Sequence, residues 1–395
     1  MLFVTLPLLS LLGCPVSLTI GGSINEPNGE NNFDVRDEDP WEDGRDEDSD
    51  ENESASSAEY LHDPSRIAFT GESLMVVASE PFVGENTEQS AFLLYEYEND
   101  GDGWTKNETV FVDAYDKLPA SWLEDLLPTN ELAYWAPALA SSTEMYYSVY
   151  DLAMPGRACI GHAKAVGVGK NAVWVDTGAP VVCTSGPESE NEPVAIDPAL
   201  FDDAEGNKWM VWGSHGAGIY VSLLDVETGL LANDGDATFS TDSDAFHFVA
   251  QNEEGGANGG IEAPYILHYG SYYYLFVNWG ACCGGTDSTY NIRVGRSTSP
   301  NGPFLDKSGV DMTEGGGSLF LESTGRFTGP GHAGTFSYGE EQVAFSYHFY
   351  DAEHADIPTP DNNWASMAIN ELTFVNGWPV LGEELAPQTI LDALQ

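Results

Sequence analysis

The 395-residue sequence predicts an all-β fold, a five-bladed β-propeller, and three observations carry that prediction. Pro64, Pro137, Pro198, Pro264 and Pro330 recur 73, 61, 66 and 66 residues apart, each at the mouth of a short strand that leads through a turn into an apolar, aromatic-rich one. A fixed period of this size with several strands per unit marks a propeller. The composition agrees, since 42 glycines and 12% aromatics suit many turns and pleated packing. A 3.6-residue apolar period is nearly absent, with residues 121–127 as the expected short helix.

Taken in order, the chain opens with an apolar run at residues 2–12, too short to span a bilayer and of the length of an export-signal core. Leu11-Leu12-Gly13-Cys14 resembles a lipoprotein cleavage box, so residues 1–14 read as an export signal. A lipid anchor at Cys14 and ordinary cleavage nearby both stay open. Residues 15–58 read as an acidic linker: the stretch to Glu59 holds 15 acidic and 2 basic residues and no apolar period, too little to bury a core. The propeller is expected over residues 59–395.

The net charge is −51, of which about −38 belongs to the part beyond the linker. With 13 Lys and Arg in all, nucleic acid and other anionic polymers are excluded as partners. A neutral substrate fits, and so do divalent cations or a salty habitat; the chain is read as a monomer. Beyond Cys14 four cysteines remain, an even number for an oxidising compartment. Cys159 and Cys183 share the second unit and are expected to pair, while Cys282-Cys283 is either a vicinal disulfide or two buried thiols.

The first unit is expected to place strands at 66–69, 74–78, 91–97 and 109–112. Residues 99–103 read as a hairpin turn, because a calcium loop in that register would need a Glu where Thr109 stands. Residues 202–207 read as a second hairpin turn. Strands are expected at 145–150, 209–212, 219–224, 246–249, 272–277, 291–296 and 343–347.

In a propeller the equivalent ends of the inner strands meet around one funnel. The repeat therefore gathers Asp63, Trp135, Asp197, Glu262 and His332 from five blades. Carboxyls brought together cannot all ionise independently, so one stays protonated near neutral pH. Glycoside hydrolysis needs that division, a carboxylic acid for the leaving oxygen and a carboxylate for water or attack. One detail conflicts: Asp63 and Asp197 directly precede their prolines, whereas Glu262 lies one residue earlier, which strict strand alternation would turn to the other face. Irregular backbone or the longer Glu side chain must compensate.

From residue 59 to about 390, the chain resembles the five-bladed arabinanases of glycoside hydrolase family 43. The resemblance is carried by Ile261-Glu262-Ala263-Pro264, by Tyr272 through Trp279, by Cys282-Cys283-Gly284-Gly285-Thr286-Asp287-Ser288-Thr289-Tyr290 and by Ile292 through Ser297. It implies an inverting endo-1,5-α-L-arabinanase acting on arabinan, with Asp63 as general base, Glu262 as general acid and Asp197 tuning the acid. It also implies a largely water-coordinated calcium or other ion in the central channel beside His332, since a lone imidazole is a poor calcium ligand. Substrate contacts are expected at Trp135, Ala195, Ile196, Ser214, His215 and Trp279. The chain departs from the family pattern at Ala138, Val194 and His215-Gly216. An exo-acting arabinofuranosidase or β-xylosidase, and a non-catalytic carbohydrate-binding propeller, stay open as alternatives.

Overall fold

The computed structural model describes residues 61–395 other than 80–91, 100, 102, 108–121, 130, 168, 170–171, 187–191, 234, 253–259 and 354–364. The signal, the linker, Cys14 and the strand expected at 109–112 lie outside the described residues. Blade 1 holds β1 (Ala68–Phe69), β2 (Leu74–Ser79), β3 (Phe92–Tyr97) and β4 (Thr105–Asn107). A short helix, α1 (Leu123–Leu126), leads to blade 2: β5 (Leu132–Ser141), β6 (Glu144–Asp151), β7 (Arg157–Val166), β8 (Val173–Asp176) and β9 (Val182–Ser185). Blade 3 holds β10 (Ala199–Asp202), β11 (Lys208–Trp212), β12 (Ile219–Leu223) and β13 (His247–Ala250). Blade 4 holds β14 (Ile261–Tyr269), β15 (Tyr272–Trp279), β16 (Asn291–Ser297) and β17 (Ser318–Leu321). Blade 5 holds β18 (Phe327–Ser337), β19 (Val343–Asp351), β20 (Ala365–Val375) and β21 (Trp378–Glu384), and α2 (Pro387–Leu394) ends the chain.

Every blade is an antiparallel meander in sequence order, with β9 pairing the free half of β7. Each blade presses both faces against its neighbours, so its second strand is buried on both sides. That is why β2 reads LMVVAS and β19 VAFSYHFYD without a polar-out alternation. The large buried rings, Tyr147, Trp212, Phe276 and Phe345 among them, fill the spaces between blades. Burial of each contributes about 1.5–3 kcal/mol.

The ring closes between blade 1 and blade 5. The Leu61 N–H donates to Ala365 O at 2.7 Å. Leu61, Ile67 and Val76 pack with Met367 and Ile369 of blade 5 and with Ile390 and Leu391 of α2. Cys159 and Cys183 form a disulfide between β7 and β9, and Cys282 and Cys283 form a vicinal one, so of the two readings the disulfide holds. The turn at 202–207 is built on Asp203, whose carboxylate accepts the Glu205 and Asn207 N–H groups at 3.0 and 2.8 Å.

Candidate active site

The five inner segments share one backbone device. Asp63, Ala136, Asp197, Ala263 and His332 all adopt a left-handed conformation, with φ of 46, 45, 56, 46 and 54°. Each costs about 1–2 kcal/mol for a residue with a Cβ. Their N–H groups turn sideways and donate to a side chain of the preceding blade. Ala136 donates to Ser79 Oγ at 2.9 Å, Asp197 to Ser148 Oγ at 3.1 Å and Ala263 to Asp197 Oδ2 at 3.0 Å. His332 donates to Asn278 Oδ1 at 3.1 Å and Asp63 to His348 Nδ1 at 3.3 Å, which closes the circle. A net gain of about 0.5–1.5 kcal/mol per hydrogen bond roughly offsets the strain.

This circle explains the offset of Glu262. The residue of blade 4 that corresponds to Asp63 and Asp197 is Ala263, while Glu262 corresponds to His62, Trp135, Ile196 and Gly331. The pairing of β14 with β15 slips between Glu262 and Tyr265, and β5 and β18 slip at Trp135/Ala138 and Gly331/Gly334. Irregular backbone, rather than side-chain length, compensates for the alternation rule.

Asp63 sits among imidazoles. Its Oδ2 lies 3.0 Å from His62 Nδ1 and accepts from Ser79 Oγ at 3.2 Å. Its Oδ1 lies 3.5 Å from His332 Nδ1 and 3.6 Å from His348 Nδ1. Burial pushes its carboxyl pKa up, but His62 first, then His332 and His348, outweigh burial and hold it well below the ordinary range. Burial likewise opposes the charge on His62, yet Asp63 raises its pKa above the usual value. The far side of that ring, Nε2, meets Tyr350 Oη at 2.9 Å, and Tyr350 Oη accepts the Cys283 N–H at 2.8 Å. His332 and His348 go the other way: burial lowers both, and His348 falls well below its usual value because His62 adds to the effect.

Glu262 and Asp197 are both buried. Glu262 Oε2 accepts from Ser214 Oγ at 3.0 Å and lies 3.2 Å from His215 Nε2. The Tyr290 hydroxyl also hydrogen-bonds Glu262, and Tyr290 fits because Gly331 leaves room: a Cβ there would stand 2.2 Å from its ring. Burial raises the pKa of Asp197 well above the carboxylate range, and the charges of Glu262 and Asp63 add to it. Burial raises Glu262 as well, but a charged His215 and the bonds from His215, Tyr290 and Ser214 outweigh it. The two acids titrate as a pair, with the proton favoured on Asp197 while His215 is charged.

The structure brings Asp63, Asp197, Glu262 and His332 to the hub. Trp135 stands half-buried at the blade 2 position that Glu262 holds in blade 4, its ring stacked 4.9 Å from Tyr150. Ile196 holds that position in blade 3. Ala195 and Ser214, expected to touch substrate, are fully buried. Ala195 donates its N–H to Thr184 Oγ1, and the Ser214 hydroxyl serves Glu262. His215 likewise contacts Glu262. Trp279 is half-buried, packed against the core of blades 4 and 5 with the Arg293 guanidinium 4.7 Å over its ring. His62, Ser79, Ser148, Tyr290, His348 and Tyr350 have no site role assigned from the sequence. Ser79, Ser148, Gly213, Asn278 and His348 form a second period, spaced 69, 65, 65 and 70 residues, which could have exposed three of them.

Three of the hub residues cluster as metal ligands would. Ligand atoms of His62, Asp63 and His348 lie within 4.8 Å of one another. Calcium takes six to eight oxygens, whereas this cluster offers imidazole nitrogens and one carboxylate already held by His62 and Ser79. Such donors do not build a calcium cage.

Buried carboxyls of unequal proton affinity at the hub of a propeller define the site of a glycoside hydrolase. The chain belongs to the glycosyl hydrolases family 43, whose family model matches residues 98–379. It is 31% identical to the extracellular endo-α-(1→5)-L-arabinanase 1 of Bacillus subtilis over 328 residues, 82% of this chain and 88% of that protein. It is 32% identical to an extracellular exo-α-(1→5)-L-arabinofuranosidase of Cellvibrio japonicus over 282 residues, 67% and 74% of the two chains. Among solved structures, the GH43 endo-arabinanase of Bacillus licheniformis superposes with a TM-score of 0.65 at 30% identity, covering 82% of this chain and 99% of that one. The Cellvibrio cellulosa α-L-arabinanase complexed with arabinohexaose also reaches 0.65, at 26% identity over 86% and 98%.

Proposed function

We propose that the protein is an endo-1,5-α-L-arabinanase that cleaves internal linkages of arabinan by single displacement with inversion. The observation that carries this reading is the convergence of Asp63, Asp197 and Glu262 on one hub, each with a different set of hydrogen-bond partners. Asp63, held ionised chiefly by the His62 imidazole beside its Oδ2, takes a proton from water as that water's oxygen bonds to the anomeric carbon. The glycosidic carbon–oxygen bond breaks as Glu262 gives its proton to the leaving oxygen. Asp197 fixes the backbone next to Glu262 through the Ala263 N–H and shares the acid's proton.

Trp135 and Trp279 would supply aromatic faces for the C–H faces of the sugar rings, with Ile196 as a further apolar contact. A hydrated calcium or other ion beside His332 would supply positive charge near Asp63. The curated relatives named extracellular support reading the chain as exported; lipidation at Cys14 and the monomeric state rest on the sequence reading.

The likeness to the Cellvibrio exo-acting enzyme favours a second reading, release of sugar from chain ends on the same scaffold. Dye-linked debranched arabinan and a nitrophenyl arabinofuranoside separate the two. Soluble dyed fragments support endo action, and turnover of the nitrophenyl glycoside alone supports exo action. Turnover of neither, with arabinan binding retained, would sink the enzymatic reading.

A further inference from the structure

We propose that His215 returns the catalytic proton to Glu262 between turnovers, a role that rests on Glu262 being the general acid. The ring is held at a set place rather than lying loose on a loop. The His215 N–H donates to Ile261 O at 2.8 Å, and its carbonyl accepts the Gly218 N–H at 2.8 Å. Its backbone is left-handed, with φ of 47°. The ring lies over Gly260, where a Cβ would stand 2.1 Å from its Cε1 and Nδ1.

Nε2 lies 3.2 Å from Glu262 Oε2, and the His215 side chain is 21% exposed where that of Glu262 is 10%. The imidazole thus joins a buried carboxyl to water. The other titratable groups facing this pair are Asp197, whose charge acts on both, Tyr290, whose hydroxyl reaches Glu262, and His62 and His332, whose charges act on Glu262. Imidazole is the side chain that exchanges protons with water near neutral pH.

The proton balance closes. Cleavage leaves Glu262 as a carboxylate and Asp63 carrying the proton taken from water. The His215 imidazolium then passes its Nε2 proton to Glu262, giving a neutral ring and a carboxylic acid. The ring regains a proton from bulk water and Asp63 releases one to it, so hydrolysis consumes none. Substrate helps the transfer: covering the site with sugar penalises the imidazolium–carboxylate pair more than the neutral pair.

Rapid-quench and steady-state kinetics on linear arabino-oligosaccharide test the proposal in the full chain. His215→Asn suits the left-handed backbone. It should leave the first turnover within about threefold of the parent while steady-state kcat falls about tenfold or more, with KM little changed. Added imidazole at fixed pH should restore kcat in the variant and leave the parent unaffected. The proposal is overturned if kcat is unchanged, or if first turnover and kcat fall together without rescue. His215→Gln repeats the measurement should the Asn variant fold poorly. A normal His215→Asn beside an inactive Glu262→Gln would discard the relay and keep the acid; an active Glu262→Gln would discard the acid assignment itself.

Discussion

Asp197 accepts the backbone N–H of Ala263 on Oδ2 at 3.0 Å, and so does at one blade junction what a second-strand side chain does at the other four. The reason lies in Gly213, which holds the place of Ser79, Ser148, Asn278 and His348. Its φ is +117°, and a Cβ there would stand 2.7 Å from Gly218 O, so no side chain fits. The carboxyl that joins the two blades is therefore also the one whose proton affinity the Glu262 charge raises.

Those two duties separate by substitution. Asp197→Asn keeps an oxygen for Ala263 and should retain stability within about 0.5 kcal/mol, while kcat falls by about tenfold or more as the titratable carboxyl beside Glu262 is lost. Asp197→Ala leaves a buried N–H unpaired and should cost a further 1–3 kcal/mol or so in denaturant unfolding. Parent-like kcat in the Asn variant would remove Asp197 from acid tuning.

Glu262→Gln keeps the shape and the hydrogen-bonding reach of the side chain and removes the proton. It should lower kcat by about 10²–10⁴-fold and leave arabinan affinity within about threefold by calorimetry. Activity within about tenfold of the parent would show that another group protonates the leaving oxygen.

Much of this site was legible because a propeller converts sequence period into spatial convergence. Asp63 and Asp197 fall on the proline period and were found directly. Glu262 was found with its offset unexplained, because the residue that takes the left-handed turn in blade 4 is Ala263, a type that carries no signal for that conformation. His62 and His348 were hidden for another reason. A histidine beside an Asp or inside an apolar strand looks like packing until the fold shows that one partners the Asp63 carboxylate and the other its backbone N–H. His215 was read as a sugar contact, since nothing local to Gly213-Ser214-His215 reveals that the Ile261 carbonyl and Gly260 seat its ring against the acid.

The formal charge of −51 predicts that salt stabilises the fold. Like-charge repulsion at the surface is screened over about 10 Å at 0.1 M salt and about 3 Å at 1 M. The melting temperature should therefore climb by several degrees from low to molar sodium chloride, with little change in the tertiary-structure signal at low temperature. A flat melting temperature would leave solubility as the reason for the acidity.

Acid should weaken the fold through His348. Its ring is fully buried, its Nδ1 accepts the Asp63 N–H, and its Nε2 has no partner among the described residues. Because the folded pKa lies well below the usual value, the unfolded chain binds the extra proton as pH falls through about 6.5. Stability then rises with pH between the folded pKa and about 6.5 and is lost as pH drops through that window. His332 acts in the same direction, while His62, with a raised pKa, contributes stability below about 6.5 and loses it as pH rises. Asp197, whose raised pKa adds stability toward acid, opposes His348 and His332, but below about 6.5 His62 is protonated in both states, so the two lowered histidines together set the sign. Thermal scans at about pH 7.5, 6.5 and 5.5 should show a falling melting temperature. His348→Asn, whose oxygen can accept the Asp63 N–H as Asn278 accepts that of His332, should flatten the fall. An equal slope in parent and variant would assign the acid sensitivity to other groups.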